Sequence, residues 1–134
     1  MPTSSKTNTV ARYLLPLVFT ILPGLAAVEG ELPPAVDRKI DFEKEIHPLL
    51  SNRCFKCHSS KKQKGGLRLD LGAAALKGGD SGAVIQPGKS LESRLVLMVG
   101  GKAKKRMPPS GEALSAEQIG VLRAWIDQGA KYDN

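Results

Sequence analysis

Cys54-Phe55-Lys56-Cys57-His58 sets two thiols three positions apart with an imidazole directly after them, which is the attachment pattern of c-type haem. In that chemistry both thiols form thioethers with the vinyl groups of one porphyrin, and the adjacent His58 falls under the iron as its proximal ligand. A C-x-x-C pair alone also serves redox dithiols and zinc sites, but neither needs a histidine immediately after it. These are the only cysteines, and the one other histidine, His47, stands at a spacing that fits no common zinc pattern. One covalently held haem c is the expected cofactor.

An iron held by His58 has a second axial position, and Met98, Met107 and His47 are the candidates beyond the N-terminal segment. Met98 continues a helical face with Leu91, Leu95 and Val99 and reads as core filler. His47 stands on the polar side of Ile46 and Leu50 and reads as exposed. Met107 lies in the loop Gly101–Gly111 and is followed by Pro108 and Pro109. Pro108 pushes Met107 toward extended geometry and Pro109 stiffens the chain beyond it, so the thioether is held out on a strap. Met107 is the expected distal ligand. Sulfur raises the potential relative to two histidines and leaves no open position for substrate. That favours an electron carrier over a catalyst. The rival, a five-coordinate haem peroxidase or gas sensor, needs a displaceable Met107 and a polar distal group, which only His47 offers.

The elements that must position these groups read as helices joined by loops. Asp41 is placed as an N-cap, and Phe42, Ile46, Leu49 and Leu50 mark one face of a helix leading into the haem motif, with Pro48 bending or splitting it. Leu67 to Leu71 alternates with period two, an extended strip with leucines inward. Ala73 to Lys77 makes a short helix stopped by Gly78-Gly79; Ser90 is placed to cap another, closed by Gly100-Gly101. Ser115 and Gln118 form a capping box with Leu114 and Ile119 as its staple, opening a last helix that buries Ile119, Leu122, Trp125 and Ile126 and ends at Gly129. Ala130 to Asn134 reads as a short tail, and strand content as negligible.

The 134 residues suit one domain. Residues 1–28 hold Lys6 and Arg12, no acid, the apolar run Tyr13–Val28 and small residues from Gly24 to Ala27, the pattern of a secretory signal. That run contains Pro16 and Pro23 and is shorter than the about 20 residues of a spanning helix, so an uncleaved anchor is the alternative. Export to the periplasm and a haem motif support each other. Residues 29–40 read as a mobile linker and 41–131 as the domain. Beyond residue 28 there remain 18 basic against 13 acidic residues, a formal +5. So small a domain is marginal by itself, and a buried haem supplies apolar area. Lys56, Lys61, Lys62 and Lys64 flank the motif, and Lys102, Lys104, Lys105 and Arg106 precede Met107. Positive charge so placed suits a redox partner protein of acidic character. Nucleic acid is the rival for a pI near 9.6, but no helix-turn-helix or aromatic-studded basic sheet accompanies the charge.

Taken together, Phe42 to Leu50 leading into Cys54–His58, Lys64-Gly65-Gly66-Leu67-Arg68-Leu69-Asp70, Lys77-Gly78-Gly79-Asp80-Ser81-Gly82, Gln86-Pro87-Gly88-Lys89-Ser90, Arg106-Met107-Pro108-Pro109 and Trp125–Ala130 resemble the cytochrome c domain characteristic of planctomycete bacteria. The resemblance implies an all-α, cytochrome c-like fold of three to five short helices and loops around one haem, with the first and last helices crossing. It also implies attachment through Cys54 and Cys57 and ligation by His58 and Met107. In that family the domain is commonly a module of a longer protein, so a free-standing carrier and a haem module of a larger oxidoreductase both stand as expectations.

Overall fold

In the structure, a computed structural model that describes residues 1–2 and 30–134, Asp41 opens the first helical segment. Its carboxylate accepts the Lys44 N–H at 3.0 Å, and the Glu45 carboxylate accepts the Asp41 N–H at 3.0 Å, so two orphan donors are met reciprocally. Pro48 then decides the helix type. Having no N–H, it cannot continue the ladder. Phe42–Ile46 winds as a π-helical turn closed by the His47 N–H on the Phe42 carbonyl, and α1 (His47–Arg53) begins with Pro48 in its first turn, where a missing donor costs nothing. The expected bend is therefore a split. Phe42, Ile46, Leu49 and Leu50 are all buried, so the apolar face runs on across it.

The chain continues through β1 (His58–Ser59) and β2 (Lys62–Gln63), a two-rung antiparallel hairpin, to α2 (Gly72–Lys77), α3 (Arg94–Val99) and α4 (Ala116–Asp127). The domain is mostly helical, with four α-helices among the described residues. At α4 both halves of the capping box form: Ser115 Oγ accepts the Gln118 N–H at 3.1 Å and Gln118 Oε1 accepts the Ser115 N–H at 2.9 Å. At its other end the Ala130 N–H reaches the Trp125 carbonyl and the Gly129 N–H the Ile126 carbonyl, a Schellman closure. The first helical segment meets α4 through aromatic rings. Phe42 lies 6.0 Å from Trp125 and 4.9 Å from Tyr132, and those two lie 5.2 Å apart.

Three expectations are corrected. Ser90 does not cap α3: Ser90–Glu92 is a 3-10 turn, Ser93 is the N-cap, and Leu91 is left 60% exposed while Leu95 and Val99 are buried. The Ser90 hydroxyl is engaged elsewhere, donating to Asp127 at 2.9 Å and accepting from Arg123 at 3.2 Å. In the leucine strip Leu69 is buried but Leu71, where the chain turns into α2, is 40% exposed. Thirdly, the stretch expected to be a mobile linker is packed from Leu32 onward. Leu32, Ala35 and Val36 lie against the core and Ile40 is buried. The Val36 N–H donates to the Gly120 carbonyl at 3.2 Å, Arg123 donates to the Pro33 carbonyl, and the Gln128 amide bridges the Arg38 carbonyl and the Ile40 N–H. Gly120 permits this, because a Cβ there would stand 2.7 Å from the Pro34 carbonyl oxygen. Neither the strap nor its glycine carries a periodic signal, so packing alone reveals them. The expected leader lies almost wholly outside the described residues.

Trp125 is 3% exposed and joins α4 to Phe42 and Tyr132. Trp125→Ala is expected to lower unfolding free energy by about 3–5 kcal/mol. A urea titration checks this, and an unmoved midpoint would remove α4 from the centre of the core.

Candidate functional site

The haem motif starts where α1 runs out of helix. Cys54 is the C-cap, its N–H on the Leu50 carbonyl at 2.7 Å, and the Cys57 and His58 N–H groups both fold back onto the Cys54 carbonyl at 3.1 and 3.0 Å. The five residues thus form a tight turn. Cys54, Cys57 and His58 are all half-buried, and the two thiols are not bonded to each other. Cys54, Phe55, Leu67 and Met107 lie against one and the same buried cluster.

Each rival chemistry for the thiols meets an obstacle. Burial pushes the Cys54 thiol up to about 11, whereas a redox dithiol works through a thiolate held low. Among the described residues no three His, Cys, Asp or Glu side chains gather closely enough to hold a metal ion unaided, so a protein-only zinc site is not built here. The imidazole of His58 is uncommitted within the polypeptide. Its Nδ1 is the one buried side-chain nitrogen or oxygen without a hydrogen-bond partner among the described residues. Such an orphan costs roughly 1–3 kcal/mol; an imidazole that ligates a metal hydrogen-bonds its second nitrogen, so an iron on the other nitrogen would leave Nδ1 to be met by a water or another group from outside the polypeptide. Two free thiols and this ring, adjacent on one turn, make a donor set suited to haem c.

The methionines exchange their expected surroundings. Met98 is only half-buried, because Leu95, Val96 and Val99 fill the core on that helix. Met107, expected to stand out on a strap, packs against the core cluster with its N–H on the Met98 carbonyl at 3.1 Å. His47, expected to be exposed, is half-buried and edge-on to Phe42 at 6.2 Å and Phe55 at 5.8 Å. The π turn rotates it off the polar side. All eight basic residues beside the motif and before Met107 are exposed, and none is in an ion pair among the described residues.

What fixes His58 is a clasp that the motif itself does not encode. The Leu69 N–H donates to the His58 carbonyl at 2.8 Å, and the Ser60 N–H to the Asp70 carboxylate at 3.1 Å. Arg68 grips the same carboxylate with Nε and Nη2, each at 3.0 Å, a bidentate pair. The far side of this segment is held by the tail. Tyr132 Oη donates to the Leu69 carbonyl at 3.3 Å, the Asn134 amide to the Asp70 carbonyl at 3.2 Å, and Asn134 Oδ1 accepts the Gly72 N–H at 3.1 Å. Burial, with Cys54 and Asp70 nearby, pushes the Tyr132 phenol above its ordinary range. Arg68 and Asp70, two apart on an extended strip, were legible as a same-side pair. Tyr132 and Asn134 had no such signal.

Arg68 foremost, with the Ser60 N–H, holds the Asp70 carboxyl below its ordinary value. A depressed acid stabilises the fold above its unfolded value of about 3.9 and loses that contribution as pH falls through the folded one. Asp70→Asn should therefore lower the urea midpoint at neutral pH, with the gap from wild type closing as pH drops below about 4. A gap constant with pH would show that charge is not what the clasp uses.

No curated protein and no solved structure matches the chain. The Cys54-x-x-Cys57-His58 spacing is consistent with covalent haem c and with a small electron-transfer module. Residues 54–111, from the first thiol to the loop beyond Met107, match the family model of Planctomycete cytochrome C, and this stretch of the chain is similar to that cytochrome family.

Proposed function

We propose that the protein is an exported monohaem c-type cytochrome, with Cys54 and Cys57 holding the haem covalently, His58 as proximal and Met107 as distal iron ligand. The observation that carries this is the tight turn that sets His58 directly beside two free thiols, within a stretch that matches a cytochrome family. Haem bound there supplies a one-electron couple. The matched family is a cytochrome-type domain, a carrier of electrons rather than a catalyst. The packing of Met107 on the core cluster supports it over Met98, whose helix gives the core to its neighbours.

The exposed rim of Lys56, Lys61, Lys62 and Lys64, with Lys102, Lys104, Lys105 and Arg106, suits docking of an acidic redox partner, with encounter slowed by salt. Residues 1–28 act in this reading as the export signal, or as an anchor if retained, and the periplasm is the compartment.

Covalent attachment is tested by acid-acetone extraction, which should leave the colour with the protein. Haem that extracts, or haem content unchanged in the Cys54→Ser/Cys57→Ser variant, would refute the assignment. Axial ligation is tested by the weak far-red absorption of a sulfur-ligated ferric haem. Met107→Ala should abolish that band and lower the potential, whereas Met98→Ala should keep it. Loss of the band in Met98→Ala would reverse the two methionines. A wild-type protein already high-spin and open to carbon monoxide would replace the carrier with a five-coordinate sensor or peroxidase.

A further inference from the structure

The strap that packs onto α4 also fixes where the chain leaves the fold. Leu32 is wedged against Gly100 so closely that a Cβ on that glycine would overlap its Cδ2, and a Cβ at Gly30 would lie 3.3 Å from Nζ of Lys102. The exit is thus pinned beside the turn after α3. Lys102, Lys104, Lys105 and Arg106 come directly after that turn, all exposed, and no acidic residue occurs between Glu92 and Glu112. Glu29 and Glu31 are the acids next to the exit, too few to cancel four positive charges.

On the other side of Gly30 the sequence becomes apolar, from Tyr13 to Val28. Two residues of chain reach at most about 7 Å. While that apolar run occupies a bilayer, as nascent leader or as anchor, Lys102 is held within roughly 10 Å of its end, about one Debye length at 0.1 M salt. Charges held at that distance feel the potential of anionic headgroups, about five-fold in association per basic side chain.

We propose that the pole formed by Gly30 and the basic run Lys102–Arg106 faces an anionic lipid surface. The position of the exit, not the haem, carries this inference. It narrows the docking surface for a soluble partner to the other basic run, Lys56–Lys64, which flanks the haem motif.

The test is lysine acetylation of the full 134-residue chain, mapped by peptide mass spectrometry, with vesicles of phosphatidylcholine alone or mixed with phosphatidylglycerol. On the mixed vesicles Lys102, Lys104 and Lys105 should become several-fold less reactive while Lys56, Lys61, Lys62 and Lys64 stay unchanged, and added salt should restore them. Lys104→Gln/Lys105→Gln/Arg106→Gln, all at exposed positions, should weaken the salt-sensitive part of vesicle binding on the order of a hundred-fold. Equal protection of both runs, protection by phosphatidylcholine alone, or none at all would overturn the proposal. So would protection of this run by polyglutamate but not by vesicles, which would assign it to an acidic protein. Acid-acetone extraction reports on the haem separately, so failure of one reading is distinguishable from failure of the other.

Discussion

The contact between Phe42 and Trp125 is the constraint on which the rest of the structure depends. It sets the first helical segment across α4, and with that the direction in which α1 delivers Cys54. Tyr132 completes the contact from the tail and carries it onward, because its hydroxyl holds the Leu69 carbonyl while the Leu69 N–H holds His58. Core and site are thus joined through one residue of extended chain. Aromatic rings suit this junction, being large, stiff and, in tyrosine, polar at one end.

Two kinds of order meet at His58. Its backbone is fully determined, by the Cys54 carbonyl on one side and Leu69 on the other, while its ring keeps a buried nitrogen without a partner. A protein tolerates such an imbalance where the missing partner is external. The Arg68–Asp70 pair and the tail keep the ring's surroundings from relaxing around the deficit.

Charge is organised separately from this. The ion pairs join the strap to the π-helical turn, lie at that turn's cap, and sit at the end of α1, on the strip before α2 and around the 3-10 turn, while the two basic runs beside the motif and before Met107 pair with nothing among the described residues. Structural charge is spent on clasps; the remaining positive charge faces outward, and the path of the strap gives one of the two runs a definite neighbour at Gly30.

By itself the sequence determined most of what depends on near neighbours in the chain. The haem motif, the capping box at Ser115, the buried faces of the first and last helices and the break at Pro48 are local patterns, since hydrogen bonds within a turn span three to five residues. Tertiary structure alone decided what depends on residues far apart. The strap from Leu32 to Ile40 has no period of its own and is held by α4. Ser90 and Leu91 lose their expected roles, to Ser93 and to solvent, because Asp127 and Arg123 draw the serine away from capping. Met107 rather than Met98 packs on the core cluster, because a helix face reads as core only if something lies opposite it. Tyr132 and Asn134 reach Leu69 to Gly72 across more than 60 positions, and no spacing rule connects residues that only folding brings within 3.3 Å.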